Sequence, residues 1–147
     1  NPKIISAGRK LNDSMGVFIS ERMSQAMKDK GIETKGSKVL IAGLSFKENC
    51  NDLRNSRVVD IISHLKGLNI KVDIYDPWVD HKEAESEYQL KLTESPKSDN
   101  YEGIIVAVAH DKFQNAGSHF FHNLGKQNHV LFDLKGIFAL SESDLRL

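Results

Sequence analysis

The spacing of hydrophobic residues changes at about residue 38. Before it, Leu11, Met15, Phe18, Ile19, Met23, Ala26 and Met27 recur at intervals of three and four, which predicts an amphipathic helix over the first thirty residues. Gly31 follows where a helix end takes a residue tolerant of positive φ. The apolar face of such a helix needs cover. That cover could be the domain that follows, another copy of the chain, or a preceding domain.

After residue 38 short apolar runs alternate with helical patterns. Val39 to Gly43 is a continuous apolar run, the mark of a strand covered on both faces. Val58, Ile61, Ile62 and Leu65 have helical spacing and end near Gly67. Ile70 to Tyr75 alternates as a second strand, closed by Asp76-Pro77. Asp80 to Tyr88 suits a short helix, Gln89 to Leu92 an edge strand, and Glu94 to Asn100 a loop. Gly103 to Ala109 and His129 to Phe132 read as further strands. Lys112 to Leu124 is helical with an interruption at Gly117, and Ser141 to Leu145 suits a terminal helix. The pattern predicts a doubly wound α/β fold, a mainly parallel Rossmann-like sheet behind an amino-terminal amphipathic helix. Ligands of such sheets lie beyond the carboxyl ends of the strands, so the loops after Gly43, Tyr75, Ala109 and Asp133 are the ones to inspect.

Composition narrows the function classes. The 147 residues carry 20 basic and 20 acidic side chains, which excludes strong general attraction to nucleic acid or to an anionic membrane. The longest apolar run, Ile104 to Ala109, is far short of the roughly 20 residues of a spanning helix. A single cysteine, Cys50, and no leader pattern point to a reducing, cytoplasmic location. A chain that starts at Asn1 is expected to be a trimmed product or an excised piece.

The loop after the first strand, Gly43-Leu44-Ser45-Phe46-Lys47, lacks the second and third glycines of a dinucleotide fingerprint and is not a P-loop. It does bring Lys47 and Arg54 to the ligand edge, where a point charge and a planar fork suit phosphate or carboxylate. The alternative is a solvated basic loop paired with Glu48 and Asp52. Asn55 or Ser56 is placed to cap the next helix. Cys50 has no evident activator beyond Lys47. His119 and His122 stand one helical turn apart without the carboxylate or cysteine ligands of a metal site, so no metal is expected. Asp76 reads as a turn residue rather than a ribose ligand. His110 follows a strand directly and either faces the ligand crevice or starts the next helix. Lys135, after the last strand, also lies on the ligand edge.

Together, Gly43 to Lys47, Asp52-Leu53-Arg54-Asn55-Ser56, Tyr75-Asp76-Pro77 and Phe132-Asp133-Leu134-Lys135-Gly136 resemble the carboxyl-terminal domain of the UDP-glucose/GDP-mannose dehydrogenase family. The Phe46 to Asn49 stretch, with Ala107 to His110, is most similar to bacterial UDP-N-acetylhexosamine 6-dehydrogenases of surface-polysaccharide synthesis. The resemblance implies that residues 1–36 end a central helical domain that forms the homodimer, and that residues 37–147 bind the UDP-sugar. It implies that Phe46, Lys47, Lys135 and Arg9 contact substrate and that Arg54 reaches NAD, which is held mainly by an amino-terminal domain outside this chain. The family's nucleophilic cysteine is also outside it, so no catalytic residue is assigned and the chain alone is expected to produce no NADH. Two other functions are open to the sequence. One is a free-standing nucleotide-binding regulatory module; the other is an interaction module dimerising through Met15, Ile19 and Met23.

Overall fold

The computed structural model describes the backbone of residues 2–147 and the side chains from Ser14 onward. Arg9, a candidate substrate contact, therefore lies outside the described residues. The chain runs α1 (Pro2–Asp29), β1 (Lys38–Ala42), α2 (Val58–Gly67), β2 (Lys71–Tyr75), α3 (His81–Tyr88), β3 (Tyr101–Val106), α4 (Asp111–Leu124), β4 (Gly125–Asp133), a 3₁₀ turn (Leu140–Glu142) and β5 (Leu145–Arg146). The five strands form one sheet in the order β2-β1-β3-β4-β5, and every pair is parallel.

Burial on both faces explains the unbroken apolar runs. In β1, Val39 and Ile41 join a core with α1 and α2, while Leu40 joins Ile104, Leu131 and α4 on the other face. The carboxyl-terminal half of α1 lies on its own sheet. Ile19, Met23 and Met27 are buried there, and Met23 reaches Gly103, where an added Cβ would come within 2.3 Å of its Cε. Ile19 and Met23 are therefore not free for a partner, which removes them from the dimerising face expected of an interaction module. Gly31, at φ +77°, ends the helix: its N–H meets the Lys28 carbonyl and the Ile32 N–H meets that of Met27.

Two short elements differ in kind from the sequence reading, and two strands in their bounds: β3 ends at Val106, short of Ala109, and β4 begins at Gly125, ahead of His129. Gln89 to Leu92 is irregular rather than a strand: Gln89 ends α3 in the left-handed conformation, and only the Thr93 N–H then reaches β2, at the Ile74 carbonyl. The carboxyl-terminal stretch is a 3₁₀ turn and a two-residue strand in place of a helix. The Asp144 carboxylate accepts the Leu131 N–H and the Lys30 ammonium, and this draws Leu145 and Arg146 into register with Phe132 and Asp133. The interruption at Gly117 is present, with φ +81° inside α4. No helix among the described residues is long and apolar enough to cross a membrane.

Candidate functional site

Strand order reverses between β1 and β3, because the chain leaves β1 for β2 on one side and returns to β3 on the other. A crevice of about 360 Å³ opens there, at the carboxyl ends of β1, β3 and β4. The loop after β1 supplies Ser45, Phe46, Lys47 and Glu48, the loop after β3 supplies Ala107 to Ala109, and the loop after β4 supplies Leu134 and Lys135. Met15 and Ile19 of α1 and Val58 and Ile61 of α2 make an apolar wall. Lys47 and Lys135, read from two separate loops, thus meet at one opening with Phe46, which the family resemblance supplied.

Arg57 also lines this crevice, a residue that sequence reasoning missed. It is the N-cap of α2, and its place depends on how the loop returns to that helix. Among the described residues none of Lys47, Arg57 and Lys135 is committed to a salt bridge. The Phe46 ring is 53% exposed at the same opening. An apolar ring beside three cations and one carboxylate suits a ligand with a flat face and a multiply charged anion.

Arg54 is outside the crevice lining. Its guanidinium grips Asp52 with two bonds of 3.1 Å, and the Arg54 N–H meets the same carboxylate at 2.9 Å. That side-chain bond, followed by the backbone one, holds Asp52 below the usual carboxylate range. Ser56 does not cap α2: its hydroxyl donates to the Leu44 carbonyl at 2.6 Å and ties the end of the loop to its beginning.

Beneath the loop lies a buried polar cluster. Asp76, 2% exposed at the end of β2, accepts the Leu44 N–H (2.7 Å) and Ser45 N–H (3.0 Å) on Oδ2 and the Trp78 N–H (2.9 Å) on Oδ1. It is a turn organiser, as its sequence context suggested. His110, fully buried after β3, faces Asp76 with Nε2 at 3.1 Å from Oδ2. Its Nδ1 accepts the Asn49 N–H at 2.9 Å, so the ring proton resides on Nε2 and points at the carboxylate. Burial works against ionising Asp76, but the bonds from His110, Leu44 and Ser45 outweigh it and keep its pKa below the usual value. Both sequence readings of His110 are thereby resolved: it begins α4 as the N-cap and faces Asp76, not the crevice. His122 bonds to His129 (2.8 Å) and to the Glu142 carbonyl (2.6 Å), which uses both its nitrogens.

A dinucleotide does not fit the turn after β1. Residues 43–57 separate that strand from α2, so no helix N-terminus follows the turn directly. Gly43, at φ +103°, is filled by Val108, whose Cβ would be 2.6 Å from an added Cβ. That glycine serves contact between two strand ends and leaves no cradle for a pyrophosphate.

Residues 40–139 match the UDP binding domain of the UDP-glucose/GDP-mannose dehydrogenase family. The chain is 49% identical over 146 residues to a UDP-N-acetyl-D-glucosamine 6-dehydrogenase of Salmonella typhi, covering 99% of this chain and 34% of that one. It is 48% identical over 147 residues to the enzyme of the same name from Pseudomonas aeruginosa, covering 100% and 35%. The chain thus spans about a third of the length of the curated relatives it matches. A crystal structure of an NDP-N-acetyl-D-galactosaminuronic acid dehydrogenase from Methanosarcina mazei Go1 shares the fold, with a TM-score of 0.78, 20% identity, and coverage of 93% of this chain and 28% of that one.

Proposed function

This chain belongs to the UDP-glucose/GDP-mannose dehydrogenase family, and we propose that its crevice holds the nucleotide of a UDP-N-acetylhexosamine during oxidation of the sugar 6-hydroxyl to a carboxylate. The observation that carries the reading is the half-exposed Phe46 ring beside the unpaired Lys47, Arg57 and Lys135. In this reading the ring lies against the uracil, and the cations face the diphosphate. The identity to proteins named UDP-N-acetyl-D-glucosamine 6-dehydrogenase supports the N-acetylhexosamine part. Similarity at 34% identity to a Staphylococcus aureus protein named CapL supports a role in capsule-type polysaccharide synthesis.

Hydride acceptance belongs to NAD, which would be held by parts of the enzyme outside this chain, because the turn after β1 offers it no cradle. Arg54, exposed and beyond the crevice, is the residue here assigned to meet that cofactor. Residues 1–36 are assigned to a central helical domain and residues 37–147 to nucleotide binding. Met15 and Phe18, half exposed on α1, then face the partner in a homodimer.

Calorimetric titration of the complete enzyme with UDP-N-acetylglucosamine tests the reading. Lys47→Ala is expected to weaken binding about tenfold, the scale of one charge-assisted contact to phosphate. Arg54→Ala should leave it within about twofold, since that side chain is held by Asp52. Unchanged affinity in Lys47→Ala would remove the nucleotide from this crevice.

A further inference from the structure

We propose that His110 is a positioning residue: its Nδ1 holds the middle of the Phe46–Lys47 loop in the shape that binds nucleotide, without itself touching the ligand. The inference rests on the nucleotide reading above for its functional consequence, and on the loop geometry for its structural one.

The loop from Ser45 to Ser56 has no regular structure, so its shape depends on a few bonds. Its start is fixed by Asp76, which takes the Leu44 and Ser45 N–H groups. Its end is fixed by Ser56 on the Leu44 carbonyl, and a cross-bond runs from the Phe46 N–H to the Asp52 carbonyl at 2.7 Å. Between these, the Lys47 carbonyl accepts the Ser45 hydroxyl at 2.9 Å, and the Asn49 N–H meets His110 at 2.9 Å. The Ser45 bond is local to the loop. His110 ties this stretch to the sheet, because its ring hangs from the end of β3, and its Nε2 also lies 3.3 Å from the Ser45 hydroxyl. Asn49 pays for its place with φ +54° and uses its side-chain oxygen on the Asp111 N–H, at 2.9 Å.

The arrangement has a direction. Nδ1 can accept from Asn49 only while the ring proton stays on Nε2, and Asp76 keeps it there. Asp76 thus acts on the loop twice, directly at its start and through the imidazole at its middle. His110 is fully buried and absent from the crevice lining, which separates this role from substrate contact.

Two substitutions divide the two ring nitrogens. Glutamine can place an amide N–H near Nε2 and keep a donor for Asp76, but offers nothing at Nδ1. Asparagine can place its oxygen near Nδ1 and keep an acceptor for Asn49, but deprives Asp76 of its donor. His110→Gln is expected to speed amide exchange at Asn49 about tenfold and to weaken UDP binding about tenfold, the scale of one hydrogen bond. His110→Asn should be the less thermostable of the two and yet retain near-normal exchange at Asn49 and near-normal affinity. A role confined to stability would make affinity follow thermostability, the opposite order. The glutamine variant decides the matter even where the asparagine variant fails to fold. Native exchange at Asn49 in His110→Gln overturns the positioning role. Loosened exchange with unaltered UDP affinity, or no UDP binding by the unsubstituted protein, overturns the link to nucleotide, while the hold on the loop stands.

Discussion

Replacing Asp76 by alanine is expected to destabilise the protein by about 3–5 kcal/mol, the scale of leaving several buried donors without an acceptor at about 1–3 kcal/mol each. The side chain is 2% exposed and serves four donors: the N–H groups of Leu44, Ser45 and Trp78, and the His110 ring. Alanine leaves these donors inside without an acceptor. Asp76→Asn should recover only part of the loss, because one amide arm must turn its own hydrogens toward N–H groups. Denaturant unfolding of the three proteins at neutral pH checks this, and a loss under about 1 kcal/mol for alanine would contradict the assigned bonding. The pH dependence has a fixed sign. The carboxylate is held below its ordinary 3.8, so its contribution is complete above that value and disappears as pH falls through the lower folded one. The unsubstituted protein should therefore lose stability more steeply below that value than Asp76→Asn does. Glu102 and Asp144, also held low despite burial by bonds from Lys126 and Lys30, add to the same acid limb in both proteins.

Gly43→Ala should cost about 2–4 kcal/mol, through strain and crowding together. At φ +103° a side chain is strained, and the added Cβ would lie 2.6 Å from the Val108 Cβ and 2.9 Å from the Val108 backbone nitrogen. Backbone cannot swing aside as a flexible side chain can. Gly31→Ala is the control: its φ is +77°, but nothing lies within 4 Å of the added atom. That variant should lose only about 1 kcal/mol, the conformational part alone. Equal losses in the two unfolding curves would show that contact with Val108 contributes nothing.

The strands were legible where burial on both faces left only apolar residues, as from Val39 to Ala42 in β1 and from Gly103 to Val106 in β3. The first half of β4 was not, because Gly125 to Asn128 is a small residue followed by polar ones; it joins the sheet across a register shift between Tyr101 and Gly103. Gln89 to Leu92 misled by its alternation: Leu90 and Leu92 do point into the core, but by packing rather than by strand pairing. The crevice residues Lys47 and Lys135 were visible because each follows the end of a readable strand, whereas Phe46 came only with the family resemblance. Arg57 was hidden among other loop charges, and only the path of the chain into α2 brings it to the opening. The Asp76–His110 pair spans 34 positions, and no local spacing rule connects residues that far apart.

An all-parallel sheet also sets the order in which the protein can assemble. No two neighbouring strands are joined by a hairpin; Val39 pairs with Val72 on one side and with Gly103 on the other, so each pairing closes a long stretch of chain. Such topologies fold slowly, because the entropy of closure is lost before the contacts that reward it are made. The loop after β1 is held by Asp76 from the end of β2 and His110 from the end of β3, with further bonds from Tyr88 of α3 and Asp111 of α4. It cannot take its native shape until both strands have docked against the centre. The opening that carries Phe46 and Lys47 thus forms only after β2 and β3 have docked on β1, and a chain that has formed it has already completed the middle of its sheet.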